Sequence, residues 1–369
     1  MKRRRWPWLV SAVVLFALAG WLMALRDVER PEPAWKRVAM PRRMTSEERA
    51  RAESRRTLLL PPPAVASAEP PEPQRPRDPL IAALPSRFDR GALVVEANAV
   101  RHSPVGQLLV DCMLSRDGGR NLEELRRATG IDPLEDVDRV AMADETLIVS
   151  GHFAEARWQE IFRERGAPFG QDGMLYRPPL PDGRDAPDIA IGVWKSQIVV
   201  VAPTEDAVKA TFDRLEGGAA AQGKPALDES QSYGEMYGVA NGAAIAELVP
   251  PEFAALAEKL RSAAARVELH VDARHDVGIV ADVSGLQARD TEDLGKSVGA
   301  ALALGRLRAQ AEGEHELAEL MDLARVVPED GRFRIEMGVP LEVLEKHLRG
   351  CVERNEQRRR EQSAHAPGQ

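Results

Sequence analysis

The run from Trp6 to Leu25, WPWLVSAVVLFALAGWLMAL, constrains this chain more than any other feature: twenty residues pass without a charge. As a helix rising 1.5 Å per residue it is about 30 Å long, the thickness of a bilayer's hydrocarbon core. A helix satisfies its own backbone polar groups, so lipid tolerates it where a loop would be excluded. Trp6, Trp8 and Trp21 stand near its ends, at the depth amphipathic rings prefer. Lys2, Arg3, Arg4 and Arg5 precede it and are readily retained inside, which puts the remainder outside. The basic residues beyond the span (Arg26, Arg30, Lys36 and Arg37) nearly balance that head. Cleavage as a signal peptide after Ala19 is the competing reading, since Ala17-Leu18-Ala19 has the small-x-small pattern. The apolar run continues past Ala19 without a polar region, which favours retention. No cysteine lies near residues 15–30, which excludes a lipoprotein anchor. The expected partner of residues 6–25 is therefore the bilayer, in a single-pass protein of the cytoplasmic (inner) membrane with its C-terminal domain extracytoplasmic.

Charge divides the chain sharply. Residues 1–79 carry 16 Lys/Arg against 9 Asp/Glu, whereas residues 80–351 carry 30 against 46, a net −16. An acidic folded part argues against nucleic acid, whose phosphates need a basic face, and against lying flat on anionic lipid. Eleven prolines fall between residues 26 and 79, including Pro61-Pro62-Pro63, so that segment is expected to be a disordered, extended linker. One island in it, Thr45-Ser46-Glu47-Glu48, has the pattern of a helix capping box.

The expected organisation is a basic head and transmembrane anchor (1–25), a Pro-rich disordered linker (26–79), a first α+β half (80–216), a joint of small residues (217–230), a second α+β half (231–351) and a disordered tail (352–369). In the first half GALVVEAN from Gly91 reads as a strand, and Ser103-Pro104 opens a helix with Val105, Leu108, Leu109 and Cys112 on one stripe. Residues 137–151 split around Asp144-Glu145 into a hairpin. In the second half Val267–Val271 and Val277–Val283 form the clearest hairpin, its first arm alternating apolar and polar. Both halves read as β-α-β-β-α-β. That order predicts an α+β fold of two ferredoxin-like halves, a mostly antiparallel sheet with helices on one face. The segment GIDPLEDVDRV after a helix, with a strand and a Pro-led helix at the end, resembles uncharacterised bacterial membrane-anchored proteins that carry a Pro-rich spacer and duplicated α+β periplasmic repeats. That resemblance spans residues 80–350 and implies no activity.

Several motifs touch on chemistry. Gly295-Lys296-Ser297-Val298-Gly299 has the serine-hydrolase spacing, but that serine must follow a strand on a strained turn, and residues 290–310 read as one helix. Gly218–Lys224 spells most of a phosphate loop, yet Pro225 replaces the magnesium-binding Ser/Thr. His315-Glu316-Leu317-Ala318-Glu319 lacks the second histidine of a zinc helix. His270, Asp272, His275 and Asp276 gather at a hairpin turn, where a metal is one reading and an exposed polar tip the other. Trp158 and Trp194 read as core rather than as a sugar platform. No catalytic, cofactor or metal set is therefore expected. The two cysteines, Cys112 and Cys351, are a candidate disulfide outside the cytoplasm, the alternative being a buried free thiol at Cys112. The functional expectation is a membrane-anchored, extracytoplasmic, non-enzymatic module binding a protein or envelope partner. The alternatives are a carrier of an apolar ligand and an envelope-acting hydrolase.

Overall fold

The structure, a computed structural model, describes residues 37–59, 76–117, 119–161, 166–176, 189–218 and 226–365. The apolar run 6–25, and with it the expected anchor, lies outside these. Among the described residues no helix is long and apolar enough to cross a membrane.

An N-terminal segment carries α1 (Ser46–Ser54), and α2 (Pro79–Ala83) leads into the first half. That half contains β1 (Gly91–Val95), α3 (Ala97–Arg101), α4 (Pro104–Asp117), α5 (Arg120–Thr129), β2 (Val137–Ala143), β3 (Thr146–Gly151) and α6 (Trp158–Ile161). It continues through β4 (Gly166–Phe169), β5 (Gly173–Tyr176), β6 (Ala190–Trp194), β7 (Ile198–Ala202) and α7 (Glu205–Leu215). The second half begins with β8 (Met236–Ala240), α8 (Gly242–Glu247), α9 (Ala254–Ala263), β9 (Arg266–Asp272) and β10 (Val277–Ser284). It ends with α10 (Ala288–Ala311), α11 (His315–Asp322), β11 (Ala324–Glu329), β12 (Arg332–Val339) and α12 (Leu341–His365).

The fold is α+β, as the element pattern implies, but its sheet is ordered differently from the expectation. The described strands form one sheet in the order β11-β12-β10-β9-β8-β1-β2-β3-β7-β6-β5-β4, antiparallel at every step. A ferredoxin-like half would place its first strand between its third and fourth; here β1 lies at the seam beside β2, β7 lies beside β3, and β4 sits at the far edge. The reason lies in the turns. Lys195 and Ser196, at φ 51° and 52°, supply the two left-handed positions of a tight hairpin between β6 and β7. Strand β7 then returns beside β3, because the chain crosses from β3 to the far edge at β4 and folds back through β5 and β6.

The helices are not confined to one face either. Val94, Ala141, Ile148 and Val200 share a core with Leu80 of α2 and with Val208, Phe212 and Leu215 of α7. On the same face Val239 stands opposite Glu268. Its chain neighbour Val267 therefore points to the other side, where it packs with Val283, Phe333, Leu260 of α9, and Leu294 and Val298 of α10. Helices thus cover the first face of one half and the second face of the other.

Part of the presumed linker belongs to the fold. Residues 37–59 lie along the first face of the second half as a strap, with Val38, Glu48 and Leu58 buried. The Thr45–Glu48 capping box forms, and the free oxygen of Glu48 accepts from the Gly234 N–H at 2.8 Å. Arg55 clasps buried Glu96 through both nitrogens (2.8 and 2.5 Å), and Arg42 reaches buried Glu336 at 3.2 Å. Leu58 pairs with Arg77 in a short antiparallel bridge. Proline density misled the reading because backbone constraint says nothing about which side chains find buried partners. At the other end α12 runs through Gly350 to His365 instead of giving way to a disordered tail after residue 351.

Two buried polar groups make the fold testable. Asp78 and Arg139, on opposite sides of the first core, form a two-pronged pair at 2.6 and 2.8 Å with both side chains under a tenth exposed. Burial pulls the Arg139 guanidinium down, but the hydrogen bonds and charge of Asp78 hold it above its ordinary value. Arg139→Ala strands a carboxylate in the core and is expected to cost about 3–5 kcal/mol in chemical denaturation, while an Arg139→Met, Asp78→Leu double variant recovers part of it, the Asp78 cap on the Leu80 N–H remaining lost. Glu235, 1% exposed, accepts from the Ala273 N–H with one oxygen, and its other oxygen has no hydrogen bond among the described residues. Burial raises its carboxyl above the ordinary 4.5, against the Ala273 N–H and Arg274, which pull it down. Stability from this group is therefore full below the unfolded value and is lost as pH rises through the folded one. The advantage of Glu235→Gln should be greatest at neutral pH and vanish near pH 4.5, read from denaturation midpoints across that range.

Candidate binding face

The second face of the first half has the composition of a core and lacks the cover of one. Register places Ile191, Val201, Leu147, Met142 and Leu93 in one row across β6, β7, β3, β2 and β1. The adjacent row reads Val193, Val199, Val149, Val140 and Val95. No polar side chain interrupts either. Apart from buried Val193, these side chains are half-buried or exposed, and Met142 at the centre is 52% exposed. The opposite faces of these strands carry Ala92, Val94, Ala141, Ile148 and Val200, all buried under α2 and α7.

Comparison of the halves shows why this face is open. By order in the chain and sheet, β1 corresponds to β8, β7 to β12, and the helix after each to its counterpart. Helix α9, after β8, covers the second face of its own half through Leu260. Its counterpart α4 packs mainly against α12, the long C-terminal helix. A disulfide between Cys112 and Cys351, with Cα atoms 5.8 Å apart, joins the two. Beside it the Asn355 amide donates to the Ser115 hydroxyl at 2.9 Å. The clasp holds α4 with its distant partner, and Leu109 and Met113 remain exposed along it.

The sequence motifs do not build a competing centre. Ser297 sits within α10, where its hydroxyl donates to the Asp293 carbonyl at 2.8 Å and accepts from Lys259 at 2.8 Å. That is a helix-surface serine, with neither strand nor sharp turn before it. Gly218 follows α7 and donates to the Asp213 carbonyl; residues 219–225 of the glycine-lysine motif lie outside the described residues. His315 opens α11, Glu316 lies 3.4 Å from His347 and Glu319 lies 3.6 Å from Lys346.

His270 is buried and stacked on Tyr233, with ring centroids 3.7 Å apart, and burial lowers its affinity for a proton. Asp272 is taken by Arg274, and Asp276 accepts from the Leu341 N–H. Among the described residues no group of three metal-ligating side chains forms. Trp194 is buried in the first core; Trp158 meets Phe153 edge-on and donates to its carbonyl at 2.9 Å. A groove of about 480 Å³ between α1 and residues 77–82 is lined by both signs of charge, Arg49, Arg56 and Arg77 against Glu53, Asp78, Asp228 and Glu229, so it presents no single charge to a ligand.

No protein-family model matches this chain, and no curated protein matches it in sequence. Among solved structures, crystal form I of TP0453 is similar at 12% identity and a TM-score of 0.39, over 73% of this chain and 96% of that one. That likeness is too distant to transfer fold or function.

The clasp yields its own prediction. Cys351→Ser, or reduction of the intact protein, should lower stability by about 2–5 kcal/mol, because the bond closes a loop spanning most of the fold. Thiol titration of the unfolded, unreduced chain should find no free cysteine.

Proposed function

We propose that this chain is a non-enzymatic binding module, held outside the cytoplasmic membrane by residues 6–25, whose open apolar sheet face docks a protein partner. The observation that carries the reading is the pair of uninterrupted apolar rows centred on Met142, left uncovered by the α4–α12 clasp. A contiguous apolar patch of this kind on a water-soluble surface marks an interaction site. A protein suits it better than a membrane surface, because residues 80–351 carry a net −16 and anionic headgroups would repel them. A carrier of an apolar ligand needs a pocket that hides most of that ligand from water, whereas Met142 stands half in solvent on a sheet. The repeated order of strands and helices fits an internal duplication in which one half keeps its second face covered and the other offers it.

The test alters the face without touching the core. Met142→Glu, in the intact chain, places a charge at the centre of the rows on a side chain already exposed, so folding stability should change little. In-cell crosslinking should then return the partner recovered with the parent chain at about one-tenth the yield or less. Undiminished recovery with the variant would show that the partner sits elsewhere. A lipid retained by the parent and lost from the variant in native mass spectrometry would replace the protein reading with the carrier.

A further inference from the structure

The strap covers its half of the sheet in an unusual way. The surface under and around it is mostly polar: His270 and Glu336 alternate with Glu268, Asp282 and Arg334 on that face, Arg334 pairs with Asp282 at 2.7 Å, and buried Val280 and Tyr237 are the apolar members of the His270 row. A sheet face of this composition is at home in water, and an antiparallel sheet tolerates one wet side. The strap is equally self-sufficient. Its helix, SEERARAES, has no apolar face and carries its own cap at Thr45.

What joins the two is largely charge. Residues 37–59 hold seven arginines and three glutamates, against the acidic body they lie on. Its polar contacts include Arg42–Glu336, Arg55–Glu96, Arg56–Glu229, the Glu48 carboxylate on the Gly234 N–H and the two backbone hydrogen bonds between Leu58 and Arg77. Val38, Pro41 and Leu58 are its buried apolar points. Detachment therefore exposes mainly groups that water can solvate, with Val38, Leu58 and Val280 the apolar side chains uncovered, at less cost than opening a whole apolar core.

We propose that residues 37–58 form a reversible strap that leaves the sheet as a unit and so sets the length of the tether. Docked, the strap leaves twelve peptide links between Leu25 and Arg37, which span at most about 43 Å whatever their conformation. Released, the tether extends to Arg77 and reaches about 160 Å in polyproline geometry. The strap's opening stands on its own contacts; only its consequence for membrane distance rests on the anchor reading above.

Hydrogen exchange followed by mass spectrometry on the full-length protein in detergent tests the opening. Peptides covering 45–58 should exchange faster than those from β1 and β8. About 0.5 M salt, which screens partly exposed pairs, should accelerate the strap alone. Arg55→Gln leaves Glu96 buried with only the Tyr237 hydroxyl as a donor, a cost that opening relieves. Strap exchange should rise about tenfold with β8 unchanged. Arg42→Gln, at a contact more than half exposed on the arginine side, should act in the same direction more weakly.

Strap peptides that exchange in step with β1 and β8 in every variant and at both salt concentrations would overturn the proposal. So would loss of β8 protection in Arg55→Gln, since the strap would then be integral to the fold. A chain that fractionates as soluble would remove the tether's meaning and leave the exchange result intact.

Discussion

The fold depends on β1 and β8 lying side by side in opposite directions, from Gly91 against Ala240 to Val95 against Met236. Two glycines make that approach possible. A Cβ on Gly91 would meet the Val239 carbonyl oxygen at 2.5 Å, and one on Gly238 would meet that of Ala92 at 2.4 Å. With the seam antiparallel, the halves are related by a rotation about an axis through the sheet, so equivalent helices ought to lie on the same face. The α4–α12 clasp breaks that equivalence once in each half. It keeps α4 from the second face of the first half and α12, the counterpart of α7, from the first face of the second. Among the described residues two areas of sheet are left without the helix that covers their counterparts, and they are finished in opposite chemistries.

One of the two is polar and is covered by a strap of arginines; the other is apolar and open. The difference follows from what water does to each. A face of Glu268, Asp282 and Arg334 remains satisfied when its cover lifts, because these groups pair with one another or with solvent. A face of Val199, Val149 and Leu147 has no such recourse, and each of these partly buried side chains forgoes a fraction of the roughly 1.5–3 kcal/mol that complete burial is worth. The cover of the first area can be conditional. That of the second has to be a surface that excludes water.

Strands and helix starts were legible because they rest on local patterns: Pro104 at a first helical position, Asp144 in a hairpin turn, alternation in RVELHVD. Sheet order was not, because it depends on which hairpin folds against which. The strap was hidden for a different reason: prolines signal extended backbone, whereas its docking depends on Glu48, Arg55 and Arg42 meeting partners 41 to 294 residues away. The open face did leave a trace in the sequence. Strands such as IVVVA and AIGVW are apolar at consecutive positions, the signature of burial on both sides. The described residues supply cover on one side only, and this mismatch between a two-sided pattern and a one-sided core is what the proposed docking face rests on.

That mismatch also bears on where the protein functions. An antiparallel sheet with one wet side ordinarily alternates, as β9 does, and here five neighbouring strands do not. A chain exposing such a face stays dispersed only with help, and the −16 on residues 80–351 supplies it through mutual repulsion. The bond that keeps α4 and α12 clasped is a disulfide, which persists in an oxidising compartment and is lost to cytosolic thiols. The address expected from residues 6–25 and the geometry of the face therefore depend on each other. In an oxidising compartment the disulfide would hold the clasp and leave the face uncovered; in a reducing compartment the covalent restraint on α4 would be gone.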